Sequence, residues 1–87
     1  MTNDDPHLVY SPLSSHHTLD GMDFNVQIYR LDFYPVWALE IVTEAGVSLV
    51  WKELFDTDLK ALEAFETVPD EDCMAYLLSH AEQETMH

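Results

Sequence analysis

Positive charge is what this sequence has least of. Arg30, Lys52 and Lys60 are its basic residues, set against 17 carboxylates for a net charge of −14. That balance removes the usual electrostatic basis for holding DNA, RNA or an anionic membrane surface, all of which recruit basic patches. Cysteine is nearly as scarce. Cys73 stands alone, so no internal disulfide can close, which fits a reducing compartment. With Gly21 and Gly46 as the two glycines, there is no glycine-rich loop to cradle a phosphate, and neither a serine elbow nor a His-Glu-x-x-His pair is present. No apolar run approaches the ~20 residues of a membrane span. The opening Met-Thr-Asn-Asp-Asp is acidic where a secretory leader is basic. These absences lead us to expect a soluble cytoplasmic protein that is not an enzyme and uses no metal or cofactor.

What is present is globular. The chain is 47% apolar and carries two tryptophans, four tyrosines and four phenylalanines, too many for a disordered acidic tail. Its 87 residues make one domain, near the lower limit for an unaided core. The pattern divides it into an N-terminal loop or edge segment (1–21), an antiparallel sheet (22–55) and two helices (56–83).

Within the sheet, residues 22–33 begin as a half-buried strand. Phe24, Val26 and Ile28 alternate with Asp23, Asn25 and Gln27. The phase then flips, and Tyr29, Leu31 and Phe33 become the apolar set. A β-bulge near Ile28–Tyr29 reconciles the halves; otherwise the second half covers a different surface, such as a partner. Residues 36–44 and 47–55 form a hairpin around Glu44-Ala45-Gly46. One face of that hairpin carries Trp37, Leu39 and Ile41 opposite Val47, Leu49, Trp51 and Phe55. Residues 7–10 are a candidate edge strand. Residues 11–21 read as a loop closing on an Asp20–Gly21 turn.

Asp56 or Thr57 suits a helix N-cap, with Asp58 favoured by the dipole. Leu59, Leu62 and Phe65, extended by Ala61 and Val68, recur at helical spacing to residue 68. Pro69 fits the start of a second helix with Asp70, Glu71 and Asp72 in its first turn. Cys73, Met74, Leu77, Leu78 and Ala81 form its apolar stripe, and residues 82–87 read as a frayed tail. The fold class is therefore α+β: a three-stranded antiparallel sheet, four-stranded with an edge segment, covered on one face by two C-terminal helices.

Candidate chemistry is thin. His16 and His17 are adjacent in a loop, with His7, His80 and His87 elsewhere, and match no metal-ligand spacing. Cys73 falls on an apolar stripe, where thiols pack and stay unreactive. The acids are the distinctive feature. Glu63 and Glu66 are helical neighbours at i, i+3, and with Asp70, Glu71 and Asp72 they make a run relieved by Lys60 alone. Glu40 and Glu44 on the hairpin add to them. Tyr29, Tyr34 and Trp51 cannot all point into one core, so Tyr29 and Trp51 join the candidate partner-binding residues.

The segment Val50-Trp51-Lys52 through Phe55-Asp56-Thr57-Asp58-Leu59-Lys60-Ala61 resembles a pattern in small uncharacterised bacterial ββα proteins, a Val-Trp strand end followed by Phe-x-Thr-Asp-x-x-Ala. The likeness extends over residues 20–68 and implies the fold alone. In size and acidity the chain also resembles phage-encoded anti-CRISPR and anti-restriction inhibitors, some of which imitate DNA. That resemblance implies a non-enzymatic acidic protein whose partner is a basic, nucleic-acid-binding surface. The alternative expectation is a homodimeric interaction module joined through Tyr29, Leu31 and Phe33. A third possibility is that the acidity serves solubility.

Overall fold

Asp20 and Gly21 set the first pairing of the sheet. Both have positive φ, 52° and 75°, the signature of a two-residue type I′ turn that matches the twist of the strands it joins. The strands, numbered along the chain, are β2 (Ser15–Leu19) and β3 (Met22–Leu31), with Leu19 opposite Met22. The computed structural model describes residues 7–84; the expected tail beyond Glu84, with His87, lies outside them.

Among the described residues, six antiparallel strands form one sheet. β1 (Leu8–Tyr10) and β2 lie end to end along one edge of β3, and β4 (Ala38–Thr43), β5 (Ser48–Trp51) and β6 (Ala81–Glu84) follow on its other side. The expected three-stranded meander is therefore its centre, β3-β4-β5, and the edge segment at residues 8–10 is a strand. Two further strands correct the sequence reading. Ser15–Leu19 is no loop, because the Asp-Gly hairpin presents it to the free edge of β3. Nor does the chain fray at residue 82, since Ala81–Glu84 pairs along β5 from Trp51 to Ser48.

β3 contains no bulge at Ile28–Tyr29. Its register against β4 runs unbroken from Phe24 opposite Thr43 to Tyr29 opposite Ala38. The irregularity lies in its other neighbour, residues 11–14 between β1 and β2. There Ser11 N–H donates to the Ile28 carbonyl at 2.8 Å, and the Ile28 N–H donates to Ser14 Oγ at 3.0 Å. The phase flip is thus a change of face. Phe24, Val26 and Ile28 point to the inner face, while Tyr29 and Leu31 belong to the outer one.

Two helices cover the inner face, α1 (Asp58–Glu66) over β3 and β4 and α2 (Cys73–His80) over β5 and β6. Thr57 caps α1, its Oγ1 accepting from Lys60 N–H at 3.1 Å, and Ser11 Oγ–H donates to Asp58 at 2.7 Å. Phe24, Val26, Ile28, Leu39, Ile41, Leu49 and Trp51 from the sheet meet Ala61, Phe65, Val68, Cys73 and Leu77 from the helices and their connection. His17 adds its ring on the inner face, 4.9 Å from that of Phe65. Among the described residues, no helix is long and apolar enough to cross a membrane.

Candidate functional site

The acids expected to act together are divided by the fold. Glu63 and Glu66 are exposed on α1. Asp70, Glu71 and Asp72 are exposed in the connection before α2, whose first turn contains no acid. This differs from the expected start at Pro69. Asp72 instead takes the left-handed conformation, φ 55°, as the N-cap of α2 and makes no side-chain capping bond. Asp70 is engaged, accepting the Asp20 N–H at 2.9 Å. That bond ties the β2–β3 turn to the α1–α2 connection and adds Asp20 to the acidic group. Glu44 is exposed in the β4–β5 turn.

Glu40 belongs to the other side of the sheet. It is half-buried and accepts from the Tyr29 phenol at 2.9 Å and from the Ser48 hydroxyl. Around it the outer face carries Ala38, Val42 and Val50, alternating with the buried inner set. Tyr29 stacks obliquely on Tyr10, ring centres 5.5 Å apart. Trp51 must be withdrawn from the surface set. It is 6% exposed on the inner face, with its ring 5.5 Å from that of His80.

Electrostatically the carboxylates are almost uncompensated. Among the described residues, the contact within 4 Å between a basic and an acidic side chain is His16 with Asp23, at 3.8 Å. Arg30 is engaged otherwise: its Nη1 donates to the carbonyls of Leu31 and Asp32 at 3.0 and 3.1 Å, and its guanidinium lies 5.3 Å from the Trp37 ring. It holds the β3–β4 turn together and is in no ion pair among the described residues.

Cys73 is fully buried at the start of α2. Burial pushes its thiol up from the ordinary value, helped by the charge of Asp20 and, least, by that of Asp70, while backbone hydrogen bonds from Met74 and Cys73 oppose the rise. A thiol so placed is a poor nucleophile. Among the described residues, no group of three or more His, Cys, Asp and Glu side chains is arranged to hold a metal ion.

Two clefts flank β3. One, of about 370 Å³, opens beside the β4–β5 turn. Met22, Phe24, Val47, Leu49, Met74 and Leu78 wall it, and the exposed Asp23 and Glu44 also line it. The other, of about 240 Å³, lies at the far end of β3, where Leu8, Tyr29, Leu31, Tyr34 and Leu54 meet. Neither is visible in the sequence, because each draws its walls from separate elements. The Asp20–Gly21 turn places Met22 and Asp23 at the start of a strand, but nothing in the sequence brings Met74 and Leu78 to them.

No family model matches this chain, and neither a curated protein nor a solved structure matches it.

Proposed function

We propose that this chain is a non-enzymatic acidic binding protein that occupies a basic, nucleic-acid-binding partner, most concretely as an inhibitor of the anti-CRISPR or DNA-mimic kind. The observation that carries this reading is uncompensated charge: −14 overall, with Lys52 and Lys60 in no ion pair among the described contacts and Arg30 bound to backbone carbonyls. Like charge held this way weakens a fold through self-repulsion, and a basic partner relieves it. Duplex DNA carries one charge per ~1.7 Å of axis, so about 14 charges occupy roughly 24 Å. The radius of gyration here is 13.5 Å, so the two charge densities are of the same order. Glu63, Glu66, Glu71 and Asp72 are exposed and act as phosphate surrogates toward Arg or Lys.

The test is affinity capture from bacterial lysate with the intact chain. A basic nucleic-acid-handling complex should be retained at about 50 mM salt and released at about 500 mM, where screening shortens charge attraction to a few ångströms, or by competing duplex DNA. Glu63→Lys with Glu66→Lys should weaken the captured complex at least tenfold. Capture indifferent to salt and to this reversal would sink the reading.

One observation favours a second reading, self-association. Among the described residues no helix lies over the outer sheet face, and Leu8, Tyr10, Tyr34 and Leu54 at its far end are each 46–55% exposed. Pairing two copies there brings together two chains of −14, so the contact must be largely apolar and should strengthen with salt. Light scattering at high concentration and high salt should then report a dimer that Leu31→Asp dissociates. A monomer under those conditions removes this alternative.

A further inference from the structure

From the cleft beside the β4–β5 turn we infer an anchor site for one aromatic side chain of the partner, flanked in its sequence by lysine or arginine. The inference rests on the acidic-binding reading and supplies it with a contact point. The cleft volume of about 370 Å³ falls in the ~300–1,000 Å³ range of ligand sites, which combine apolar walls with a few placed polar groups. Its walls here are apolar side chains from β3, β5, α2 and the β4–β5 turn. Two of them, Met22 and Met74, are thioethers, flexible and polarizable, which adapt to aromatic rings and contact them favourably.

Charge decides between occupants. Glu44 contributes an exposed carboxylate to the lining. Asp23 borders the cleft while its own carboxylate accepts from Thr18 and lies 3.8 Å from His16. No basic residue is among the lining residues described. The Asp20–Asp70 hydrogen bond joins the two acidic segments from which Met22 and Met74 directly continue. An anionic ligand, or a second copy of this chain, meets repulsion there. A segment that is apolar at its centre and cationic at its flanks meets apolar walls, the Glu44 carboxylate and a chain of net charge −14. Leu78, on the cleft wall, is 51% exposed, so an incoming ring would cover apolar surface that the fold leaves open to water.

The test titrates the full chain, at low salt, with three capped tripeptides while following methyl resonances of Met22, Met74 and Leu78. Lys-Phe-Lys should saturate these signals with an affinity at least tenfold above those of Lys-Gly-Lys and Glu-Phe-Glu. Leu78→Ser should weaken Lys-Phe-Lys, and Glu44→Gln should reduce its advantage over Glu-Phe-Glu without disturbing the folded spectrum. Equal binding of Lys-Gly-Lys overturns the anchor site but leaves the acidic-surface reading standing. Equal binding of Glu-Phe-Glu, or shifts confined to residues outside the cleft, overturns the inference too. Loss of salt-sensitive capture from lysate, by contrast, is the failure of the broader reading.

Discussion

Phe65→Ala should destabilise the folded chain by about 3–5 kcal/mol, the usual range for deleting a buried aromatic ring. Phe65 is 3% exposed on α1 and packs under the inner sheet face while touching the His17 ring. Its loss removes apolar contact and leaves a cavity between helix and sheet that a rigid sheet cannot collapse to fill. Domains are stable by roughly 5–15 kcal/mol in total, and a chain this short sits toward the lower end. Urea denaturation followed by tryptophan fluorescence should therefore show a midpoint close to zero denaturant, or an unfolded protein. The matched control is Leu59→Ala. Leu59 is 53% exposed, so its removal should shift stability by no more than about 0.5 kcal/mol. If the two substitutions cost the same, α1 is rotated relative to the arrangement described.

That comparison also shows where sequence reasoning stopped. Periodicity places Leu59, Leu62 and Phe65 on the apolar stripe of the first helix, extended by Ala61 and Val68. The buried set is Ala61, Phe65 and Val68, with Leu62 beside it and Leu59 turned to solvent. A helical period defines a stripe, but its angular centre is decided by the surface it meets. The central hairpin was more legible, because strand alternation is binary. Leu39, Ile41, Leu49 and Trp51 share one face, as their spacing required, and Gly46 takes φ 86° in the turn.

The two strands that were missed have no apolar alternation to read. Ser-His-His-Thr-Leu and Ala-Glu-Gln-Glu are poor in β-favouring side chains. They are strands because β3 and β5 each present a row of backbone groups that needs partners, a demand set by tertiary structure. The same limit applies to the site. The number of acids was plain from composition, but composition could not show that Glu40 faces away from Glu63 and Glu66, or that Asp70 is bound to the Asp20 backbone. The sequence points Trp51 to a surface because Tyr29, Tyr34 and Trp51 cannot all share one core. The outer face proves to be that of Tyr29, and Trp51 belongs to the inner one.

Thermal stability should rise with ionic strength, by on the order of 2 kcal/mol between about 10 mM and 500 mM sodium chloride. For a domain of this size that corresponds to roughly 10 °C in Tm. At the lower concentration the screening length is ~30 Å, more than twice the 13.5 Å radius of gyration, so each carboxylate is repelled by nearly all the others. At the higher concentration it falls to about 4 Å and little repulsion survives. There is almost nothing for salt to weaken in exchange, since His16–Asp23 is the ion pair found within 4 Å among the described residues. Calorimetry in sodium chloride and in choline chloride at equal ionic strength should give the same rise, which separates screening from specific ion effects. Glu63→Gln with Glu66→Gln should raise Tm at low salt and flatten the response, because those like charges are neighbours on one helix. A Tm indifferent to salt would mean that the acids repel one another too weakly to burden the fold. The charge would then need no partner to relieve it, and solubility would be sufficient reason for the acidity.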